Sequence, residues 1–319
     1  MTAPALAVRD VLSEIAANAA ALDAQPAFPH GAFRALKDAG ALTPPPTHEQ
    51  EWGLVRRVAT ADGSVGRIFE GHLNAYERLQ LDGIDPEEHL LGVWGADPLP
   101  HEGTAAYVED NALHGEKVFC SGAGGLDRAL VIARGELVYV DLHENVEIDT
   151  TWYRSHGMRA SESHRVIFHA APVLATLAKL TREPYISGDA IRTAACWAGV
   201  LDAAVEATLQ DLGAKPETDE LRALAAGNVI IAQATIDRWF EHAAHTTPTA
   251  KLSIGLRHAV ATAGATIFDE ASRATGSRPF AAGAQLDRAR RDFELFVLQH
   301  RLDPFVARLG RQAIEASRS

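Results

Sequence analysis

The sequence predicts an α+β chain, mainly α, in which a small β-domain separates two helical regions. Two observations carry this. The apolar period is helical through the first ninety residues, becomes short strand-type runs, and is helical again after Pro184. The chain also has 319 residues with 47% hydrophobic content, enough for a large core and two or three subdomains. The expected division is an N-terminal helical domain over 1–88, a central small β-barrel or sandwich over 89–174, and a C-terminal four-helix-type bundle over 175–319.

The first helix follows from Ala7, Val11, Leu12, Ile15 and Leu22, which recur at roughly helical spacing. Phe28-Pro29 opens a second, with Phe33, Leu36 and Ala39 as its stripe and Gly40 as its stop. Pro44-Pro45-Pro46 breaks the chain, and Trp52, Val55, Val58 and Ala59 restart the pattern. Asp62-Gly63-Ser64 ends that helix and caps another through Ile68, His72, Tyr76 and Leu79. From about Gly92 the runs are short: Val93-Trp94, Ala105–Val108, Val118–Cys120, Ala129–Ile132, Leu137–Val140 and Arg165–Phe168, separated by turn residues. After Pro184 the reading is helical, with one long amphipathic stretch over Asp219–Ala244, a break at Pro248, then Asp269–Ser277 and Leu286–Leu309.

A net charge of −12 argues against wide nucleic-acid contact, which needs clustered Lys and Arg. The N-terminus has neither a basic region nor a long apolar run, and no run of about 18 apolar residues occurs anywhere, so neither a signal peptide nor a membrane span is expected. Cys120 and Cys196 make no disulfide framework, which fits a reducing cytoplasm. No metal site is expected: His242 and His245 stand three apart without a visible third ligand. Gly122-Ala123-Gly124-Gly125 follows a strand but leads into another strand, so it is not a dinucleotide fingerprint.

The segment richest in chemical information is Gly115-Glu116-Lys117-Val118-Phe119-Cys120-Ser121-Gly122-Ala123, an aromatic and hydroxyl strand that breaks at glycine. Three further segments accompany it in a fixed order. They are Phe28-Pro29 with Leu36–Leu42, the turn Gly157-Met158-Arg159-Ala160-Ser161-Glu162-Ser163, and Gly276–Phe280 followed by Leu286-Asp287-Arg288 and Arg290-Arg291-Asp292. Order and spacing together resemble the acyl-CoA dehydrogenase superfamily of flavoproteins, as a divergent short member, along nearly the whole chain.

That resemblance implies a flavin, FAD with FMN as the other possibility. It places Phe119 over the isoalloxazine and Ser121 at its redox-active edge, with Cys120, Trp94, Ser163 and Arg278 as further cofactor contacts. It also implies a homodimer or homotetramer formed through the C-terminal helices, where Leu221, Leu224, Val229, Ile230, Ile236 and Phe240 supply apolar surface. The partners expected are a small-molecule or acyl-thioester substrate, with no nucleic acid and no membrane.

The pattern departs from the family at the catalytic base. The place after the Arg-Asp pair that usually holds glutamate falls at Gln299-His300, and the neighbour of Arg192, the alternative place, is Ile191. His300 shares a helical face with Leu286, Phe293 and Val297. It points inward either as a hydrogen-bonded core histidine or as an acid–base group. His72 lies on the helix that in this family faces the same cavity, with the same two readings. The Thr-Glu pair before the β-domain reads Ala96-Asp97, and the adenylate-binding segments are replaced by Gly213–Asp219 and Ser272–Ser277. Three functions stay open. The first is α,β-dehydrogenation of an acyl thioester. The second is a two-component flavin-dependent monooxygenase using His300 and His72 as catalytic groups. The third is a non-catalytic member kept for binding.

Overall fold

A computed structural model of the chain describes residues 3–178, 182–215, 219–281, 283–299 and 301–318. Four helices come first: α1 (Ala3–Ala24), α2 (His30–Asp38), α3 (His48–Ala61) and α4 (Gly63–Leu81). Seven strands follow: β1 (Leu91–Trp94), β2 (Tyr107–Glu109), β3 (Ala112–Cys120), β4 (Arg128–Ala133), β5 (Glu136–Asp141), β6 (Val146–Asp149) and β7 (His164–Leu177). Six more helices are α5 (Tyr185–Gly213), α6 (Glu220–Ala244), α7 (Ala250–Thr275), α8 (Arg278–Ala281), α9 (Gln285–Phe296) and α10 (Asp303–Ala316).

The chain forms two compact units. The mixed unit comprises residues 1–45, 64–155 and 159–182, and the helical unit 46–63, 156–158 and 183–319.

In the mixed unit the sheet order is β1-β4-β5-β7-β3-β2, with β6 also paired to β7. Only the β1–β4 pair among these is parallel. The sheet depends on β7, whose second half pairs with β5 and whose first half pairs with β3 and β6. Register shifts insert an extra β7 residue at Ala170 and again at Leu174, and such bulges bend and twist a strand. Helix α4 lays Ala75 and Leu79 onto Leu91, Leu130, Leu137, Tyr139 and Leu177 of the sheet. This cluster is one apolar core of the unit. Phe28, just before α2, stacks on Phe33 at 5.5 Å. Its ring lies so close to Gly125 that a Cβ there would come within 2.3 Å.

In the helical unit α5 is apolar almost all round. Ile191, Ala194, Ala195, Trp197, Ala198, Leu201 and Ala204 are fully buried, as suits a helix with neighbours on every side. Helix α3, capped by Thr47, approaches α5 at Gly199, where a Cβ would lie 2.1 Å from the carbonyl oxygen of Arg56. Asp219 and Thr249 cap α6 and α7 with their side chains. The single helix expected over Leu286–Leu309 is instead broken: α9 tightens into a 3-10 turn at Val297–Gln299, and α10 restarts at Asp303. Pro304 explains the restart, because proline fits the first turn of a helix and not its interior. On α6, Val229 and Ile236 are buried within their own chain, whereas Leu221, Leu224 and Ile230 are exposed.

Two segments singled out in the sequence meet here. The backbone N–H of Met158 donates to Asp292 at 2.5 Å, and Arg291 donates to the carbonyl of His156. Gly157 is pressed on the carbonyl of Arg291, where a Cβ would come within 2.1 Å. The Gly-Met-Arg turn and the Arg-Asp pair are therefore two halves of one contact.

Candidate functional site

The end of β3 carries the most unusual geometry. Between Lys117 and Cys120 the β3–β7 register shifts, so β3 holds one extra residue. Phe119 sits in that bulge with φ +54° and is 54% exposed. An aromatic residue in left-handed backbone conformation costs about 1–2 kcal/mol. A ring left more than half in water recovers only part of that through burial. The bulge turns the ring outward, where it meets Trp152 edge-on, with centroids 4.8 Å apart. Its neighbours turn inward. Cys120 is wholly buried, and that burial pushes its thiol pKa well up. Lys117, also fully buried, donates to the Gly95 carbonyl at 3.1 Å and to Asp97 at 2.6 Å. Asp97, standing where the resemblance expects the Thr-Glu pair, is thus the counter-ion of a buried lysine.

Ser121 follows the bulge. Its Oγ accepts from Arg67 Nε at 3.2 Å and lies 2.9 Å from Ser163 Oγ, which lies 2.8 Å from Ser161 Oγ. Arg67 also pairs with the buried carboxylate of Glu70, one turn along α4. The result is a hydrogen-bonded chain from a guanidinium through three hydroxyls. Because Arg67 donates into Ser121, the serine proton is free to go to Ser163 or outward to an acceptor. Around it the backbone is pinned. Trp94 donates its indole N–H to the Ser121 carbonyl at 3.1 Å, and Gly122 N–H donates to the Ser161 carbonyl at 2.7 Å.

The residues expected at a cofactor therefore divide. Phe119, Ser121, Ser163 and Trp94 are brought together in the mixed unit. Only Phe119 and Ser121 present side-chain surface; Trp94 and Ser163 are buried props behind them. The Cys120 side chain is buried in the core, so of this residue only the backbone lies at the strand end. Arg278 is exposed at the start of α8, in the helical unit. His300 lies outside the described residues.

His72 is buried, and both ring nitrogens are engaged by backbone groups. Nε2 lies 2.8 Å from the Leu42 carbonyl, and Nδ1 accepts from Leu91 N–H at 3.2 Å. That pattern fixes the neutral tautomer with its proton on Nε2. Burial lowers the pKa to about 4. In this arrangement the ring ties α4 to β1 and to the segment after α2.

In the helical unit Arg192 is buried between Glu51 and Asp189 and pairs with both. The arginine that the resemblance sets beside a catalytic base is thus clamped by two structural carboxylates, and its neighbour Ile191 is core.

Sequence reasoning missed Arg67 and Ser161. An arginine inside the buried run Val65, Ile68 and Phe69 was the available signal for the first.

No protein-family model matches the sequence, and no curated protein sequence matches it. Solved structures do match. Dibenzothiophene monooxygenase from Paenibacillus sp. A11-2 superposes with a TM-score of 0.81 at 17% identity, over 99% of this chain and 98% of that one. The chain has the acyl-CoA dehydrogenase fold. Methanesulfinate monooxygenase from Pseudomonas fluorescens shares this fold with a TM-score of 0.80 at 19% identity, again over 99% of this chain and 98% of that one. KijD3, solved with FMN and a dTDP-linked amino-keto sugar, shares it with a TM-score of 0.81 at 18% identity, over 99% and 94% of the two chains. The Paenibacillus enzyme has also been solved with FMN and indole.

Proposed function

We propose that this chain is a flavin-dependent monooxygenase of the acyl-CoA dehydrogenase fold, using FMN supplied in reduced form. The observation that carries the reading is the end of β3: an exposed aromatic held in a strained bulge, two residues before a hydroxyl polarised by a part-buried guanidinium paired with a buried carboxylate. A strained backbone that holds the ring 54% exposed fits a planar partner for it. Ser121 presents a proton to an acceptor at that partner's edge. These residues fit a flavin ring, and such a group, when bound and reduced, supplies the electrons that activate dioxygen.

The remaining work falls to the chain. Phe119 and Trp152 give the ring an apolar seat. Ser121 donates one hydrogen bond and is held in donor orientation by Arg67. Ser163 and Ser161 offer that proton a second place to rest, so the hydroxyl chain can shift by one bond without any group leaving it. His72, tied at both nitrogens, holds α4 and with it Arg67.

An oxygenase is favoured over acyl-thioester dehydrogenation because neither usual place holds a carboxylate base. Gln299-His300 occupies one, and Ile191, beside the clamped Arg192, the other. FMN is favoured over FAD because the adenylate-binding segments of the resemblance are absent from the sequence, and because neighbours of this fold were solved with FMN. We also propose assembly through α6, whose Leu221, Leu224 and Ile230 remain exposed. Light scattering of a Leu221→Glu, Leu224→Glu variant should then report a smaller particle than the parent.

The deciding experiment is anaerobic. FMN bound to the protein should not bleach with any of a panel of acyl-CoA thioesters. Admission of oxygen to chemically reduced FMN should give a spectral course that the protein alters and that free FMN does not reproduce. Bleaching by a thioester would return the reading to the dehydrogenases. Failure to bind FMN in either redox state would leave only a binding role.

A further inference from the structure

Three arginines of the helical unit are largely withdrawn from water, and two of them are neutralised. Arg192 meets Glu51 and Asp189. Arg56 meets Asp202 at 2.5 Å and Asp237 at 2.7 Å. Arg257, on α7, is buried to 6% exposure and has no carboxylate within ion-pair distance among the described residues. Its Nε is sealed from solvent and has no hydrogen-bond partner. What it does have is a ring: the guanidinium lies 6.0 Å from the centroid of Phe305 on α10, and Arg308 stands 5.3 Å from the same ring. Burial alone pulls its pKa down, whereas carboxylates hold that of Arg56 up against the same burial.

An uncompensated charge in an apolar interior is unfavourable, and the usual remedy is a counter-ion. A guanidinium against an aromatic face keeps its in-plane N–H fork free for a two-pronged acceptor. We propose that Arg257 is the buried cation of an oxyanion-binding site, with Phe305 as its apolar wall and Arg308 as a second, exposed cation. The ligand class is a carboxylate, sulfinate, sulfonate or phosphate group. It could be carried by a substrate or by the phosphate of FMN, and only the second source rests on the flavin reading above.

The test compares the parent with Arg257→Met and Arg257→Lys. Inorganic phosphate, acetate and methanesulfonate are the probes for a free oxyanion, read by thermal shift and calorimetry. FMN against riboflavin is the probe for the cofactor's phosphate. The expected result is that at least one oxyanion probe raises the parent's melting temperature and fails to raise that of Arg257→Met, which melts at least as high as the parent without ligand. Arg257→Lys should bind the same probe about tenfold more weakly, having the charge without the fork. If the preference for FMN over riboflavin also collapses in Arg257→Met, the source is the cofactor's phosphate. If it survives while the free probes lose their effect, the source is another ligand. Binding of phosphate that depends on Arg257 in a chain that takes no flavin would keep this site and sink the monooxygenase reading. No oxyanion effect in the parent, together with an FMN preference indifferent to both variants, would overturn the site. So would a binding response that Arg257→Met retains in full. Should Arg257→Met fail to fold, Arg257→Lys decides by the same two readouts.

Discussion

Arg67 and Arg192 show how differently the two units treat a cation. In the mixed unit Arg67 pairs with the carboxylate of Glu70 and also donates to the hydroxyl of Ser121 at the strand end. In the helical unit Arg192 has two carboxylates and spends its donors inside the core. The first arrangement leaves a polarised hydroxyl facing outward. The second leaves a closed cluster that holds α3 to α5. On the proposed reading, chemistry belongs with the network that reaches the strand end and stability with the buried one, although the family resemblance points to Arg192.

The comparison breaks most visibly at the closed cluster. Arg192→Leu leaves Glu51 and Asp189 buried without their counter-ion, and unfolding in urea should show a loss of about 3–5 kcal/mol. A loss below about 1 kcal/mol would mean that water reaches the cluster and that the two units are not so different.

His72 gives the next largest effect, through pH. Its folded pKa is about 4 against an ordinary 6.5. Below 6.5 the unfolded chain takes up a proton that the folded chain refuses until about pH 4. Stability therefore falls as pH drops through that window, by roughly 3 kcal/mol from this group. Denaturation at pH 7 and pH 4.5 should show the drop, and His72→Gln should flatten it. An unchanged slope in that variant would free the ring from the structural part given to it.

Ser121→Ala sharpens the other side of the contrast. It removes one hydrogen bond at the proposed ring edge, so FMN affinity should fall by about tenfold with little change in melting temperature. Fluorescence titration measures the first and calorimetry the second. A large loss of stability with unchanged affinity would make the hydroxyl chain structural.

The smallest effect has the opposite sign. Phe119→Gly relieves the left-handed bulge and should raise stability by about 1 kcal/mol while weakening FMN binding. A destabilised Phe119→Gly would show that the Trp152 contact outweighs the strain.

The fold was legible from the change of period, because α1 to α4 keep an apolar stripe at helical spacing, whereas β4 and β5 are short apolar runs, buried on both faces, between turn residues. β7 was read only over Arg165–Phe168, since Ala170, Pro172 and Leu174 interrupt its alternation where the strand bends. The Leu286–Leu309 stripe concealed the break at Val297 because apolar spacing does not register a 3-10 turn. At the site, Phe119 and Ser121 stood out as residue types, but the bulge that turns Phe119 outward depends on the register with β7. Arg67 joins Ser121 across 54 residues of sequence, and Ser161 joins Ser163 only after the 3-10 turn at Arg159–Ser161 forms. Spacing along the chain carries no record of such meetings. His72 was read as a possible acid–base group because its helix face was visible in the sequence, while the Leu42 carbonyl and Leu91 N–H that occupy it were not.

The way α3 is completed has a consequence for synthesis. Glu51 finds Arg192 only 141 residues later, and Arg56 finds Asp202 146 residues later. A ribosome adding about 5–20 residues per second leaves α3 without its partners for roughly 7 to 30 seconds. During that interval Trp52, Val55 and Val58, all buried in the finished protein, lack the α5 surface that α3 packs on. The nascent chain therefore carries an apolar helix exposed to chaperones and proteases until α5 has emerged.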